Sequence, residues 1–117
     1  MIEKFGIGID VTSIQKFKKK PFKKNESFYK LIFSKDEIMY CLKFKNPYER
    51  FAGKFALKEA LIKSIDRNIG FSEIETSNLK SKPIIRIKKL GENYNFIVSL
   101  SHENDFAISV VISERIK

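Results

Sequence analysis

Four side chains have the types and spacing for chemistry: Asp10, Glu59, Lys63 and His102. Glu59 belongs to a stretch in which Phe51, Ala52, Phe55 and Ile62 recur at helical spacing. It lies between Phe55 and Ile62 in that periodicity, so its carboxylate points along the apolar stripe. A charge facing a core needs a partner or a task. A plain i,i+4 bridge to Lys63, in the favoured orientation, would supply the partner. Asp10 would supply a task. It shares one face of an alternating segment with Gly6 and Gly8, where another element can approach the backbone closely. Two carboxylates from separate elements can hold one hard divalent cation, with phosphate oxygens and water completing the shell, the habit of Mg²⁺. Lysines around such a site suit a polyanion. Asp10 would equally serve as a cap for the helix that follows. A lone histidine at a strand end, beside a turn, is more often structural than catalytic. No Cys/His cluster points to zinc, no glycine-rich phosphate loop is present, and no Gly-x-Ser-x-Gly marks a serine hydrolase.

The elements that must position these residues read as follows. Phe5–Val11 alternates as a strand, with Phe5, Ile7, Ile9 and Val11 on one face. Gly6 and Gly8 lie within it, and no third glycine opens a helix, so it is not a dinucleotide fingerprint. Thr12 and Ser13 start a short helix with Ile14 and Phe17 inward, ended by Pro21. Asn25 opens a second helical piece carrying Phe28, Leu31 and Ile32. Ser34 and Glu37 form a capping-box pattern ahead of a third helix through Met39 and Leu42. Asn46, Pro47 and Glu49 repeat the start signal for a long central helix to about Ile65. Residues 66–70 are its exit loop. Then come strand segments at 73–79, 83–87, 95–101 and 106–112. Residues 88–93 form a turn, and His102 to Asp105 form a hairpin loop. A strand, then helices, then antiparallel hairpins is an α+β pattern.

The 117 residues fit one domain, 1–117, with 43% hydrophobic residues and enough of a core to fold. No apolar run has the length of a membrane span. The N-terminus has neither an apolar signal core nor the character of a transit peptide. The single cysteine, Cys41, forms no internal disulfide, which points to a reducing cytoplasm. Net charge is +9, concentrated in the N-terminal half around Lys16, Lys18, Lys19, Lys20, Lys23 and Lys24. Either an acidic partner or a solvated lysine-rich face accounts for that run.

Taken together, the chain resembles the holo-acyl-carrier-protein synthases, the small 4′-phosphopantetheinyl transferases. Three stretches carry the resemblance: Gly6 to Val11 as the N-terminal strand, Phe51 to Lys63 as the signature helix, and Ser99 to His102 ahead of the last strand. Residues 32–37 and 71–83 fit the spacing between them.

That resemblance implies transfer of 4′-phosphopantetheine from coenzyme A to a serine of an apo acyl carrier protein, releasing adenosine 3′,5′-bisphosphate. It implies Mg²⁺ on Asp10 and Glu59, with Lys63 near the reacting phosphate and His102 also in the active site. Lys54, Lys63, Lys82, Pro83, Ser101 and His102 would contact coenzyme A. Lys16 and Lys20, one helical turn apart, with Lys19 and Lys23, would dock an acidic carrier protein. A homotrimer with sites between subunits, a role in fatty-acid biosynthesis and lipid metabolism, and no membrane or nucleic-acid partner follow as well.

The chain departs from the family pattern at five positions. Lys54 stands for a usual Arg, which removes a bidentate phosphate fork. Leu57 stands for Ala and Ser81 for Gly. Asp66 and Asn68 replace the glycines of a Gly-x-Gly turn, where both tolerate left-handed backbone. A degenerate member that only binds coenzyme A would accommodate these changes. A non-catalytic basic α+β domain binding nucleic acid is the rival from another class. It leaves Asp10 and Glu59 without a role.

Overall fold

A computed structural model describes residues 2–89 and 94–116. Strand β1 (Phe5–Ser13) leads into α1 (Ile14–Lys18), α2 (Glu26–Ile32), α3 (Lys35–Leu42) and the long α4 (Pro47–Ser64). Strands β2 (Ile74–Leu79), β3 (Lys82–Ile87), β4 (Tyr94–Glu103) and β5 (Phe106–Arg115) follow. The strands form a β2–β3 hairpin and a three-stranded antiparallel sheet of order β1-β5-β4. The α+β reading therefore holds. The expected turn after Lys88 reaches into 90–93, outside the described residues.

Small residues set how α4 lies on the sheet. A Cβ added at Gly8 would come within 1.9 Å of the Ala60 carbonyl oxygen, and one at Gly6 within 1.7 Å of that of Ser64. Helix backbone thus rests on strand backbone. From β5, Ser109 Oγ donates to the Ala56 carbonyl at 2.7 Å and Ser113 Oγ to that of Ser64 at 2.8 Å. The second bond satisfies a carbonyl that the helix end leaves open. Ala52, Ala56 and Ala60 are fully buried. The expected stripe of Phe51, Ala52, Phe55 and Ile62 is thereby divided. Phe51 and Phe55 enter an aromatic core with Phe17, Tyr29 and Phe33 from the short helices. Leu57 and Leu61 fill a second core with Ile74, Ile85 and Val111, and Ile62 is only half-buried. The extra bulk of Leu57 is absorbed there.

Local signals worked as read at α3, where both bonds of the Ser34–Glu37 capping box form. At α4, Pro47 starts the helix, but Asn46 makes no side-chain cap bond. Asp10 is not a cap, since Ser13 occupies that position before α1. The 66–70 segment keeps negative φ at Asp66 and Asn68. Left-handed backbone falls at Lys80, Ser81 and Asn104 instead. Lys80 and Ser81, at φ 50° and 69°, make the two-residue β2–β3 turn, whose twist demands φ above zero at both positions.

The sheet's other face is apolar and uncovered. Register aligns Ile7, Ile112 and Ile97 in one row, and Ile9, Val110 and Ser99 in the next. Ile7 is 67% exposed and Ile97 70%.

Candidate active site

Asp10 lies on the face of β1 that α4 covers, in one row with Ser109 and Leu100. Thr12 Oγ1 donates to its Oδ2 at 2.5 Å, and Lys63 Nζ approaches its Oδ1 at 3.4 Å. Lys63 also donates to the Ile9 carbonyl at 3.1 Å. The lysine therefore turns back across the β1–α4 seam, in the direction helical side chains lean. The plain Glu59–Lys63 bridge does not form: Glu59 is half-buried and makes no ion pair among the described residues. Glu59 immediately precedes Ala60, whose carbonyl lies against Gly8.

A second cleft lies at the other edge of the sheet, where Lys54, Pro83 and His102 meet beside Gly53 and Leu100. His102 stands within β4, not in a hairpin loop as expected. The loop is only Asn104–Asp105, because Asn104, at φ 54°, tolerates the tight turn. The missing side chain of Gly53 admits the His102 ring, whose Nε2 would lie 3.3 Å from a Cβ there. The same nitrogen is 3.3 Å from the Glu49 carbonyl. Lys54 is only 6% exposed, with Nζ 3.0 Å from Thr76 Oγ1 and 4.7 Å from the centre of the Tyr40 ring. Burial pushes its ammonium below the usual lysine range. Lys82 and Ser101 are exposed and line neither place. Ser101 alternates with His102 onto the outer sheet face.

The lysine cluster is not one helix face, which corrects the expectation for Lys16 and Lys20. Helix α1 ends at Lys18, so Lys19 and Lys20 lie past it and Lys23 sits in a 3₁₀ turn. Two of these cations have aromatic support, Lys16 Nζ 4.2 Å from the Phe55 ring centre and Lys20 Nζ 4.8 Å from that of Phe28.

One buried network escaped the sequence reading. Lys58 is fully buried, and its Nζ lies 2.8 Å from both Glu37 Oε1 and the Ile32 carbonyl. Glu37 Oε2 accepts from the backbone N–H and hydroxyl of Thr76. Burial would raise the Glu37 pKa, but bonds from Lys58, Thr76 and Ser34 hold it below the usual carboxylate range. The available signal was spacing, since Lys58 follows Phe55 by three residues on an inward face. Cys41 is no nucleophile: burial pushes its thiol up to about 12.

A family model described as the 4′-phosphopantetheinyl transferase superfamily matches residues 6–111. The chain belongs to that superfamily. Within it, the chain is 34% identical to the holo-[acyl-carrier-protein] synthase of Thermodesulfovibrio yellowstonii, across 96% of this chain and 98% of the relative. It is 39% identical to that of Clostridium kluyveri, across 94% and 90%. The Helicobacter pylori holo-[acyl-carrier-protein] synthase, solved in complex with coenzyme A, superposes with a TM-score of 0.78 at 33% identity, covering 92% of this chain and 99% of that one. The Bacillus anthracis synthase, solved with CoA (3′,5′-ADP), gives 0.77 at 29%, covering 94% and 96%. This protein is accordingly a transferase of the holo-acyl-carrier-protein synthase family.

Proposed function

We propose that this enzyme transfers 4′-phosphopantetheine from coenzyme A to a serine of an apo acyl carrier protein, giving holo carrier protein and adenosine 3′,5′-bisphosphate, in a Mg²⁺-dependent reaction. The observation that carries the proposal is the β1–α4 seam, where Asp10 already holds a cation, the Lys63 ammonium, one helical turn along α4 from Glu59, whose carboxylate makes no ion pair among the described residues. That donor type fits the ion: two hard carboxylates with water and phosphate oxygens completing the shell are what Mg²⁺ takes. Asp10 and Glu59 would hold Mg²⁺, which neutralises charge on the diphosphate when bound. Lys63, released from Asp10, has the reach and charge to meet a phosphate oxygen. The carrier serine oxygen forms a bond to the β-phosphorus as the bond to the adenosine bisphosphate oxygen breaks, and the serine hydroxyl proton passes to water. The protein's part is positioning and electrostatics. His102, Lys54 and Pro83 would hold the adenosine end.

The Asp10 seam and the His102 cleft lie at the two edge strands, β1 and β4. Their separation, together with the uncovered apolar sheet face, supports a homotrimer in which one chain's Asp10 cleft is completed by a neighbour's His102 cleft. Lys16, Lys19, Lys20 and Lys23 form the basic surface proposed to dock an acidic carrier protein. The whole chain, 1–117, acts as one domain in the cytoplasm, in fatty-acid biosynthesis.

The test is apo acyl carrier protein with coenzyme A and Mg²⁺, read by intact mass. The carrier gains one phosphopantetheine, and Asp10→Asn or Glu59→Gln slows the gain about 10²–10³-fold. No mass gain from folded enzyme, or an unchanged rate in both variants, overturns the proposal.

A further inference from the structure

We infer that the cavity between α2, α3 and the 3₁₀ turn Phe71–Glu73 binds an amphiphilic anion, a single alkyl chain ending in a carboxylate or phosphate. It has a volume of about 470 Å³, inside the ~300–1,000 Å³ range of small-molecule sites. Its floor is apolar, made by Phe22, Ile32, Phe33 and Ile38. Met39 stands at the mouth, 56% exposed. The rim carries Lys30, Lys35 and Lys88, and no carboxylate is among the described lining residues.

The rim ammoniums are available to an incoming anion. Lys30 meets Glu26 only at 3.7 Å and Lys88 meets Glu75 at 3.9 Å, in bridges with half-exposed lysines. Such bridges contribute little and exchange readily. Lys35 has no ion pair among the described residues. The floor is preformed, because Lys58 fixes the Ile32 carbonyl at 2.8 Å and the Phe71 carbonyl at 3.3 Å. An apolar well calls for a hydrocarbon tail, and the cationic rim selects an anionic head over a neutral one. A docked helix would insert one or two side chains and leave much of the volume unfilled, against the close packing of real interfaces. The cavity shares no lining residue with the cleft of Lys54, Pro83 and His102, so the inference stands apart from the transferase reading.

The experiment is calorimetric titration of the full chain with octyl, decyl and dodecyl phosphate below their micelle concentrations. Saturable binding of one molecule per chain is expected, tightening about tenfold for each added pair of methylenes. Met39→Glu, at an exposed position, weakens dodecyl phosphate at least about tenfold, and Lys35→Glu removes much of the salt dependence. Neither variant alters phosphopantetheine transfer. Sedimentation with phosphatidylglycerol vesicles separates the two sources of the ligand: Lys35-dependent capture places it in a lipid surface, and titration without capture makes it a free alkyl anion. Three results overturn the inference: no saturable binding of dodecyl phosphate, equal binding of decanol, or binding indifferent to both substitutions. Loss of carrier-protein binding in Met39→Glu, with no dodecyl phosphate binding by the parent chain, would make the cavity a helix-docking groove and also overturn it.

Discussion

Lys58 carries its ammonium into the centre of the protein, and Glu37 meets it with both side chains out of solvent. Two charges taken out of water this way are tolerated only while each satisfies the other. Removing one leaves the other stranded. Lys58→Met is therefore expected to destabilise the chain by about 3–5 kcal/mol in urea titration. The double variant Lys58→Met with Glu37→Leu should recover much of that loss. The same pair sets an acid limit. Because the folded-state pKa of Glu37 lies below its ordinary 4.5, the unfolded chain binds more protons in that window and stability rises with pH across it. The contribution is complete above pH 4.5 and is lost as pH drops through the lowered folded value. Urea midpoints taken from about pH 6 to about pH 3.5 should decline, and the decline should flatten in Glu37→Gln.

At the scale of elements, the β1–α4 contact depends on having no side chain at two positions. A methyl at Gly8 would need the space of the Ala60 carbonyl, which belongs to a rigid helix. Gly8→Ala should lift α4 from the sheet, cost about 3 kcal/mol, and slow phosphopantetheine transfer by separating Glu59 from Asp10. Thermal melting and the transfer assay report the two effects separately. The β2–β3 turn offers the opposite case. Ser81 holds φ 69° with a Cβ that disfavours it. Ser81→Gly should stabilise the hairpin by about 1 kcal/mol, read as a higher melting temperature.

For the molecule as a whole, the decisive feature is the face that α4 does not cover. Rows of Ile7, Ile112 and Ile97 and of Ile9, Val110 and Ser99 run across all three strands in register. An apolar field of this kind calls for a partner. If copies of the chain cover it, as proposed, Ile97→Lys should yield monomers in sedimentation equilibrium and lose transfer activity while far-UV circular dichroism stays that of the folded chain. An unchanged assembly would remove the argument for sites shared between subunits.

Residues close together in the chain were legible because their physics is local. The Ser34–Glu37 capping box, Pro47 at the start of α4, the alternation of β1 and the succession of helix and strand segments all follow from near neighbours, and so did the α+β class. Glu59 stood out in the sequence as a charge among helically spaced apolar residues, and its metal role with Asp10 is part of the proposal. What the sequence left open was which side chains meet across the chain. Lys63 crosses to Asp10 instead of closing on Glu59, and Lys58 finds Glu37 and the Ile32 carbonyl only because α2 and α3 pack there. His102 reaches Gly53 only because α4 crosses from β4 to β1. These choices depend on long-range packing, where a helix's rotation is set by the smallest residues facing it, here Gly6, Gly8, Ser109 and Ser113. The sequence alone determined the elements and the unusual carboxylates. The tertiary structure decided their partners, because a side chain's partner is whatever the packed backbone brings within reach.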